Sequence, residues 1–202
     1  ELGLRVDTND SWIRERTGIA TRQIIGDKES LTSLCCKAGS KAIQMAGWDP
    51  ESIDLILLAT STPDDLFGTG PEIQAKLGAG NAVSFDLTAA CSGFLFALVT
   101  AAQFIENGTM NRAIVLGADQ LSSWIDWDDR RSCILFGDGA GAVALEKSNL
   151  SNNGLLGFKL KSDGSRRNCL NLKQLSDHLE LVQGKTHQKG GYLPIHLNGQ
   201  EV

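Results

Sequence analysis

Apolar residues recur at helical spacing through residues 30–46 (SLTSLCCKAGSKAIQMA), with Ser30 or Thr32 placed to cap the start and Gly47 to end the run. Ahead of it, residues 8–16 open on capping side chains and predict a short helix stopped by Gly18. The period then changes. Residues 54–60 (DLILLAT) form an unbroken apolar run, as expected of a strand buried on both faces. Residues 71–77 predict a short helix with Pro71 in its first turn and Gly78 behind it. Residues 82–87 (AVSFDL) read as the next strand, 92–106 as a long apolar helix closed by Asn107 and Gly108, and 112–117 (RAIVLG) as a further buried strand. Residues 133–136 and 142–146 are expected to form two strands around a glycine-rich turn. The alternation predicts an α/β fold with a largely parallel sheet.

Past residue 147 the pattern fades. Residues 148–154 are polar and turn-rich, 157–162 read as one more strand, and 163–191 mix charge, Asn, Gln and Gly with little period. The expected organisation is an α/β part over 1–147 and a loosely structured cap or insertion over 148–202. Hydrophobic residues make up 42% of the 202, enough for a packed core and too many for a disordered chain. Lys and Arg number 19 against 24 Asp and Glu, and the net charge of −5 argues against nucleic acid as a partner. No apolar run approaches the roughly 18 residues of a membrane span, so no membrane partner is expected.

The five cysteines, at 35, 36, 91, 133 and 169, form no CxxC pair, and the histidines at 178, 187 and 196 form no ligand cluster with them. Neither a disulfide framework nor a metal site is expected, and a reducing compartment is. The chain opens on Glu1 and stops at Val202 without a helix cap or polar tail, and reads as a piece of a longer protein.

Residues 86–94 (DLTAACSGF) carry the strongest chemical signal. A strand ends, small residues follow, and an apolar helix begins beside Cys91. Ala89, Ala90, Ser92 and Gly93 let the backbone turn sharply and let a substrate approach. The free N–H groups and the positive end of a helix dipole favour a thiolate there, the sulfur counterpart of a serine on a strand-to-helix elbow. A buried structural cysteine is the alternative, and position alone leaves both open. Residues 136–142 (FGDGAGA) fit a dinucleotide-binding spacing, but no helix pattern follows, so the glycines are expected to permit close backbone packing beneath a site. Trp12 and Arg16 share a helix face. They either clamp a flat base by stacking and cation–π contact or are a core Trp beside a solvated Arg. Arg130 and Arg131 follow an acidic stretch and make either a salt-bridged turn or a phosphate contact.

Residues 7–19 (DTNDSWIRERTGI), 54–78, 85–98 (FDLTAACSGFLFAL), 112–122, 134–145 (ILFGDGAGAVAL) and 162–165 (SDGS) together resemble the β-ketoacyl-acyl carrier protein synthase III family, in order and at the family's spacing. The likeness spans nearly the whole chain and is weakest over 166–196, where a loop insertion is expected. It implies a thiolase-like layered αβαβα fold, with this chain covering most of the N-terminal half plus a cap region. It implies that Cys91 takes an acyl group, normally acetyl, from acyl-CoA. Malonyl-acyl carrier protein then decarboxylates and condenses with it to give a 3-oxoacyl-acyl carrier protein. Thr8, Trp12, Arg16 and Arg130 match the CoA-binding positions. Leu121, Phe136, Leu170 and Leu197 match the acyl pocket, and Phe67 matches a residue that enters the neighbouring subunit's pocket, which implies a homodimer. Coenzyme A enters as substrate, and no cofactor or metal is implied. The implied location is the cytoplasm, or the plastid stroma of a plastid-bearing organism.

Two departures bear on this. The family's triad adds a His and an Asn to the cysteine, and neither a PHQAN-like nor a GNTS-like motif exists in this chain. His178, His187 and His196 match neither. The fold's first strand is also missing at the start. The resemblance therefore implies the nucleophile half, inactive alone in condensation. The alternatives are a related polyketide starter synthase, an acyl-CoA-dependent acyltransferase, or a truncated half that only dimerises.

Overall fold

The computed structural model describes residues 1–148 and 154–199, apart from the side chains of Leu181, Thr186 and His187. Residues 149–153, within the stretch expected to be turn-rich, and 200–202 at the end of the chain lie outside the described residues. Local sequence signals set the first helices. In α1 (Asp10–Thr17), Asn9 Oδ1 accepts from Trp12 N at 2.8 Å. In α2 (Leu31–Ala46), Ser30 and Ser33 cap each other reciprocally. Gly18, Gly47 and Gly78 end α1, α2 and α3 (Gly70–Leu77) in the left-handed conformation.

The chain forms two compact units. One holds Glu1–Gln23, Leu121–Gly137 and Lys161–Val202, the other Ile24–Gln120 and Asp138–Leu160. The backbone leaves and re-enters each unit, crossing between them at 23/24, 120/121, 137/138 and 160/161.

The second unit is built on a four-stranded sheet of β1 (Leu55–Ala59), β2 (Val83–Leu87), β3 (Arg112–Gln120) and β4 (Asp138–Glu146), in the order β2-β1-β3-β4. β1 is parallel to both neighbours, and β4 closes the far side antiparallel to β3. All five residues of β1 are buried. Its side chains alternate between the faces, as the strand period of two requires. Ile56 and Leu58 pack with Leu31, Cys35 and Ile43 of α2 and Ile73 of α3. Leu55, Leu57 and Ala59 pack with Ala97, Ala101 and Ile105 of α4 (Gly93–Glu106). The unit is therefore helices, sheet, helix in three layers.

Carboxylates tie the carboxyl ends of the parallel strands. Asp86 on β2 accepts from Thr69 N at 2.7 Å and Gly70 N at 2.6 Å, at the start of α3. Asp119 on β3 accepts from Ser61 N at 2.7 Å, just past β1. On the far face α4 lies very close to the sheet. A Cβ on Gly117 of β3 would sit 3.2 Å from Phe94 Cβ.

The first unit packs α1 and a short α5 (Arg130–Cys133) around Ile13, Ile125, Cys133, Ile134 and Ile195. Its strands are β5 (Leu170–Asn171), β6 (His178–Val182), β7 (Lys185–Gln188) and β8 (His196–Leu197), paired antiparallel as β5–β8 and β6–β7.

Three expectations need correction. Residues 133–136 are not a strand: Asp129 caps a helical turn through Arg131 N, and Leu135 N and Phe136 N bond back to Ser132 O. The glycine-rich stretch is not a turn but the start of β4, extended because Gly139, Ala140 and Gly141 pair with Asp119, Ala118 and Gly117. Residues 157–162 form no strand, while the cap holds paired strands where no period was visible.

Gly117→Val should destabilise the fold by about 1–3 kcal/mol through overpacking against Phe94. Gly139→Ala, where nothing lies within 4 Å of the added Cβ, should change stability by less than about 0.5 kcal/mol. Urea unfolding of both variants checks the contrast.

Candidate active site

The turn after β2 is tighter than its sequence requires. Thr60 N donates to Leu87 O at 3.1 Å, and residues Ala90–Ser92 make one 3-10 turn that leads into α4. Ala90 has φ +48, and among the described residues it is the one non-glycine in the left-handed region. A side-chain-bearing residue held there is unusual and clusters at functional sites. Cys91 follows it and is exposed, whereas Cys35 and Cys133 are buried. The reading of Cys91 as a buried structural cysteine therefore fails. No side chain caps the N-terminus of α4, so the backbone donors of its first turn face no competing acceptor of that kind.

The first unit brings three of the CoA-site candidates together. The Trp12 indole carries the Arg16 guanidinium 4.7 Å from its centroid and the Arg130 guanidinium at 5.2 Å. Both are cation–π distances. A base stacking on Trp12 would take the place of one of these cations. Arg130 Nη1 also donates to Asp7 O at 2.9 Å. Thr8 Oγ1, next in the chain, is buried and has no hydrogen-bond partner among the described residues. Arg131 behaves differently. Its guanidinium grips Asp129, with Nε–Oδ1 at 2.9 Å and Nη2–Oδ2 at 3.0 Å, and this holds the Asp129 carboxyl below the usual range. The two arginines thus differ: Arg131 makes the salt-bridged turn, while Arg130 turns to Trp12 and lies 3.6 Å from the Asp7 carboxylate.

The acyl-pocket candidates of this unit also converge. Leu121, Phe136 and Leu170 pack on the cluster of Ile13, Ile125, Cys133, Ile134 and Ile195. Leu197, buried, is the register partner of Leu170. Arg22, which nothing in the sequence marks, holds the turn before Phe136: its Nε donates to Ile134 O at 2.7 Å and its Nη2 shares that acceptor. Gly137 fits against the same segment, since a Cβ there would lie 2.9 Å from Gln23 O. Of the three glycines in 137–141, this one alone needs the close approach expected of the motif, as Gly139 and Gly141 have open space.

Phe67 belongs to the second unit and is fully exposed, as is most of its neighbour Leu66. Cys91 lies in that unit too, and the unit contains no histidine. Among the described residues no group of His, Cys, Asp and Glu could hold a metal ion, and no helix is long and apolar enough to cross a membrane.

Comparison with known proteins gives a consistent picture. The family model for 3-oxoacyl-[acyl-carrier-protein] synthase III matches residues 85–164, which include the Cys91 turn. Over all 202 residues the chain is 68% identical to a β-ketoacyl-[acyl-carrier-protein] synthase III of Prochlorococcus marinus (strain MIT 9313) and 64% identical to one of Synechococcus sp. (strain RCC307). It spans about 60% of the length of these relatives (60% and 61%). The crystal structure of the β-ketoacyl-[acyl-carrier-protein] synthase III from Thermus thermophilus superposes with a TM-score of 0.86 at 33% identity, over 100% of this chain and 60% of that one. A priming β-ketosynthase of a polyketide biosynthetic pathway superposes at 0.82 with 29% identity, over 100% and 58%.

Alkylation should follow exposure and burial. Iodoacetamide at pH 8 should label Cys91 well before Cys35, Cys36 or Cys133, because burial pushes the Cys35 thiol up to about 12 and raises Cys36 and Cys133 as well. Peptide mass mapping over a time course reads the order, and early modification of Cys35 or Cys133 would contradict it.

Proposed function

The chain belongs to the β-ketoacyl-[acyl-carrier-protein] synthase III family and has its thiolase-like α/β fold, and on that premise we propose that the protein catalyses the initiating condensation of fatty acid synthesis. The observation that carries this reading is the exposed Cys91 on the strained turn between β2 and α4, inside the stretch that the family model matches. Its thiolate attacks the carbonyl carbon of an acyl-CoA, acetyl-CoA by preference. The C–S bond to coenzyme A breaks, the CoA thiolate leaves and takes up a proton, and a thioester forms on Cys91. The backbone donors at the start of α4 face the developing charge. Malonyl-acyl carrier protein then loses CO₂, and the carbanion formed attacks the acyl-enzyme to release a 3-oxoacyl-acyl carrier protein.

Trp12, Arg16, Arg130 and Thr8 are the proposed CoA contacts: an indole for the adenine, two cations beside it, and a hydroxyl buried without a partner. Leu121, Phe136, Leu170 and Leu197 are the proposed acyl-pocket lining. Residues 1–147 then form the nucleophile-bearing part and 148–202 the cap. The exposed edge strand β2, with Val83 and Phe85 open, together with the exposed Leu66 and Phe67, supports a homodimer in which Phe67 enters the partner's pocket. Decarboxylation needs donors for the charge on the malonyl thioester oxygen. The family's His and Asn motifs are not in this sequence, so the 202 residues are proposed to accept an acyl group but not to condense it. The proposed setting is the cytoplasm, or the plastid stroma in a plastid-bearing organism. A polyketide starter role uses the same loading step, but 68% identity to a fatty-acid-type synthase outweighs 29% to a polyketide priming enzyme.

Incubation with acetyl-CoA should raise the intact mass by one acetyl group, and digestion should place it on Cys91. Cys91→Ser should abolish the adduct, and an adduct that survives this substitution would overturn the assignment. In the full-length protein, Trp12→Ala or Arg16→Ala should raise KM for acetyl-CoA about tenfold to a hundredfold, on the roughly 1–3 kcal/mol that base stacking contributes. Transfer from a short pantetheine thioester, which has no adenine, should stay unchanged. Equal loss with both substrates would mean that the pair only packs the core.

A further inference from the structure

β6 and β7 reach out from their unit as a free ribbon. They pair only with each other, and among the described residues no third strand lies along either edge. From residue 176 to residue 190 every described side chain is exposed. A lone two-stranded ribbon is marginal in water, and its open edges invite another chain. The base, in contrast, is firmly held. Ile195 N donates to Trp124 O at 2.8 Å, Asn198 N to Cys169 O at 2.8 Å, and the Tyr192 ring meets Trp124 edge-on at 5.9 Å. An isolated bridge between Gln174 and Tyr192 continues the pairing outward, and Glu180 Oε1 accepts from Gly184 N at 2.7 Å at the tip. A well-rooted arm whose described side chains are exposed from 176 to 190 is built to meet something outside the unit.

The surface of the arm indicates what that is. Leu179 and Val182 are more than half exposed. Residues 161–197 hold six Lys and Arg against three Asp and Glu, on a chain whose net charge is −5. Arg166, Arg167, Lys173, Lys185 and Lys189 are all exposed, and none makes an ion pair among the described residues. Uncompensated cations on the ribbon (Lys185, Lys189) and on the segments that lead to it (Arg166, Arg167, Lys173), together with the exposed Leu179 and Val182, fit an acidic protein surface. The base of the arm carries Leu170 and Leu197, two of the proposed pocket residues, and shares its unit with Trp12 and Arg130. A thioester borne on a protein has no adenine to offer Trp12, so it needs a separate handle.

We propose, resting on the acyl-transfer reading of the site, that the ribbon of β6 and β7 is a docking arm for the acidic face of the carrier protein that brings the malonyl thioester. The test uses the full-length protein in two forms. One carries Lys173→Glu, Lys185→Glu and Lys189→Glu. The other has its ribbon shortened so that Asn-Gly joins Asp177 to Lys189, whose backbones already bond at 2.7 Å. Acetyl loading of Cys91 from acetyl-CoA, KM for malonyl-carrier protein, and direct binding of that protein are measured together. Charge reversal should raise KM and Kd for the carrier protein about tenfold, less so as salt rises, and leave acetyl loading within about twofold. The shortened form should reproduce the loss.

Unchanged carrier binding in both forms overturns the proposal. So does an equal fall in acetyl loading, which would make the arm merely structural, or a change in oligomeric state on sedimentation, which would make it a contact to a second copy. If the unaltered protein fails to load acetyl, the acyl-transfer reading falls, and the binding measurement still decides on the arm.

Discussion

Burial of β1 on both faces is the constraint from which the rest of the sheet unit follows. Leu55, Ile56, Leu57 and Leu58 are wholly inaccessible to solvent, each contributing about 1.5–3 kcal/mol through removal from water. A strand buried in this way needs backbone partners on both edges, and β2 and β3 supply them in parallel. It also needs apolar cover above and below, from α2 and α3 on one side and α4 on the other. Parallel pairing puts the carboxyl ends of three strands at one rim, and the turn with Cys91 emerges there. Asp86 and Asp119 hold that rim by accepting backbone N–H groups from the segments that follow. α4 sits close on Gly117, and in the short link from β2 to it Ala90 takes the left-handed conformation.

The other unit follows a different economy. Its core is smaller and mixes three tryptophans with aliphatic residues around α1 and α5. Aromatic rings and guanidiniums meet where that core reaches the surface, and Trp12 shows both roles. Its ring packs on the cluster and still presents a surface to Arg16 and Arg130. A side chain anchored in a core and open on one side is what a base-stacking platform requires, because the ring is ordered before any ligand arrives. Trp12 is thus a core-anchored tryptophan with one open face, an arrangement compatible with the stacking role proposed for it. Phe136 is also anchored, its position set by Arg22 on the Ile134 carbonyl and by the absence of a side chain at Gly137.

Elements governed by neighbours in sequence were legible without coordinates. α1 and α2 carry their own side-chain caps, α1, α2 and α3 each end on a left-handed glycine, and β1 announces its burial by an unbroken apolar run. The Cys91 turn was legible for the same reason: small residues between a strand and a helix dictate a sharp local path. Trp12 and Arg16 were legible as a pair because helical spacing alone brings them to one face.

What tertiary structure decided depended on distant partners. The stretch 138–141 has the composition of a turn, and the ladder offered by β3 extends it into a strand. Cys133–Phe136 has strand-like residues, but Asp129 caps a helical turn ahead of it. The ribbon of β6 and β7 left no mark in the pattern because its described side chains are all exposed, with no buried side among them to impose an alternation. Arg130 and Trp12 stand far apart in the chain, and so do Arg22 and Ile134. Sequence determined which residues could turn, cap and bury themselves, since those choices rest on contacts a few positions away. Which of them meet was set by the packing of whole elements, a property of the folded chain and of no single segment.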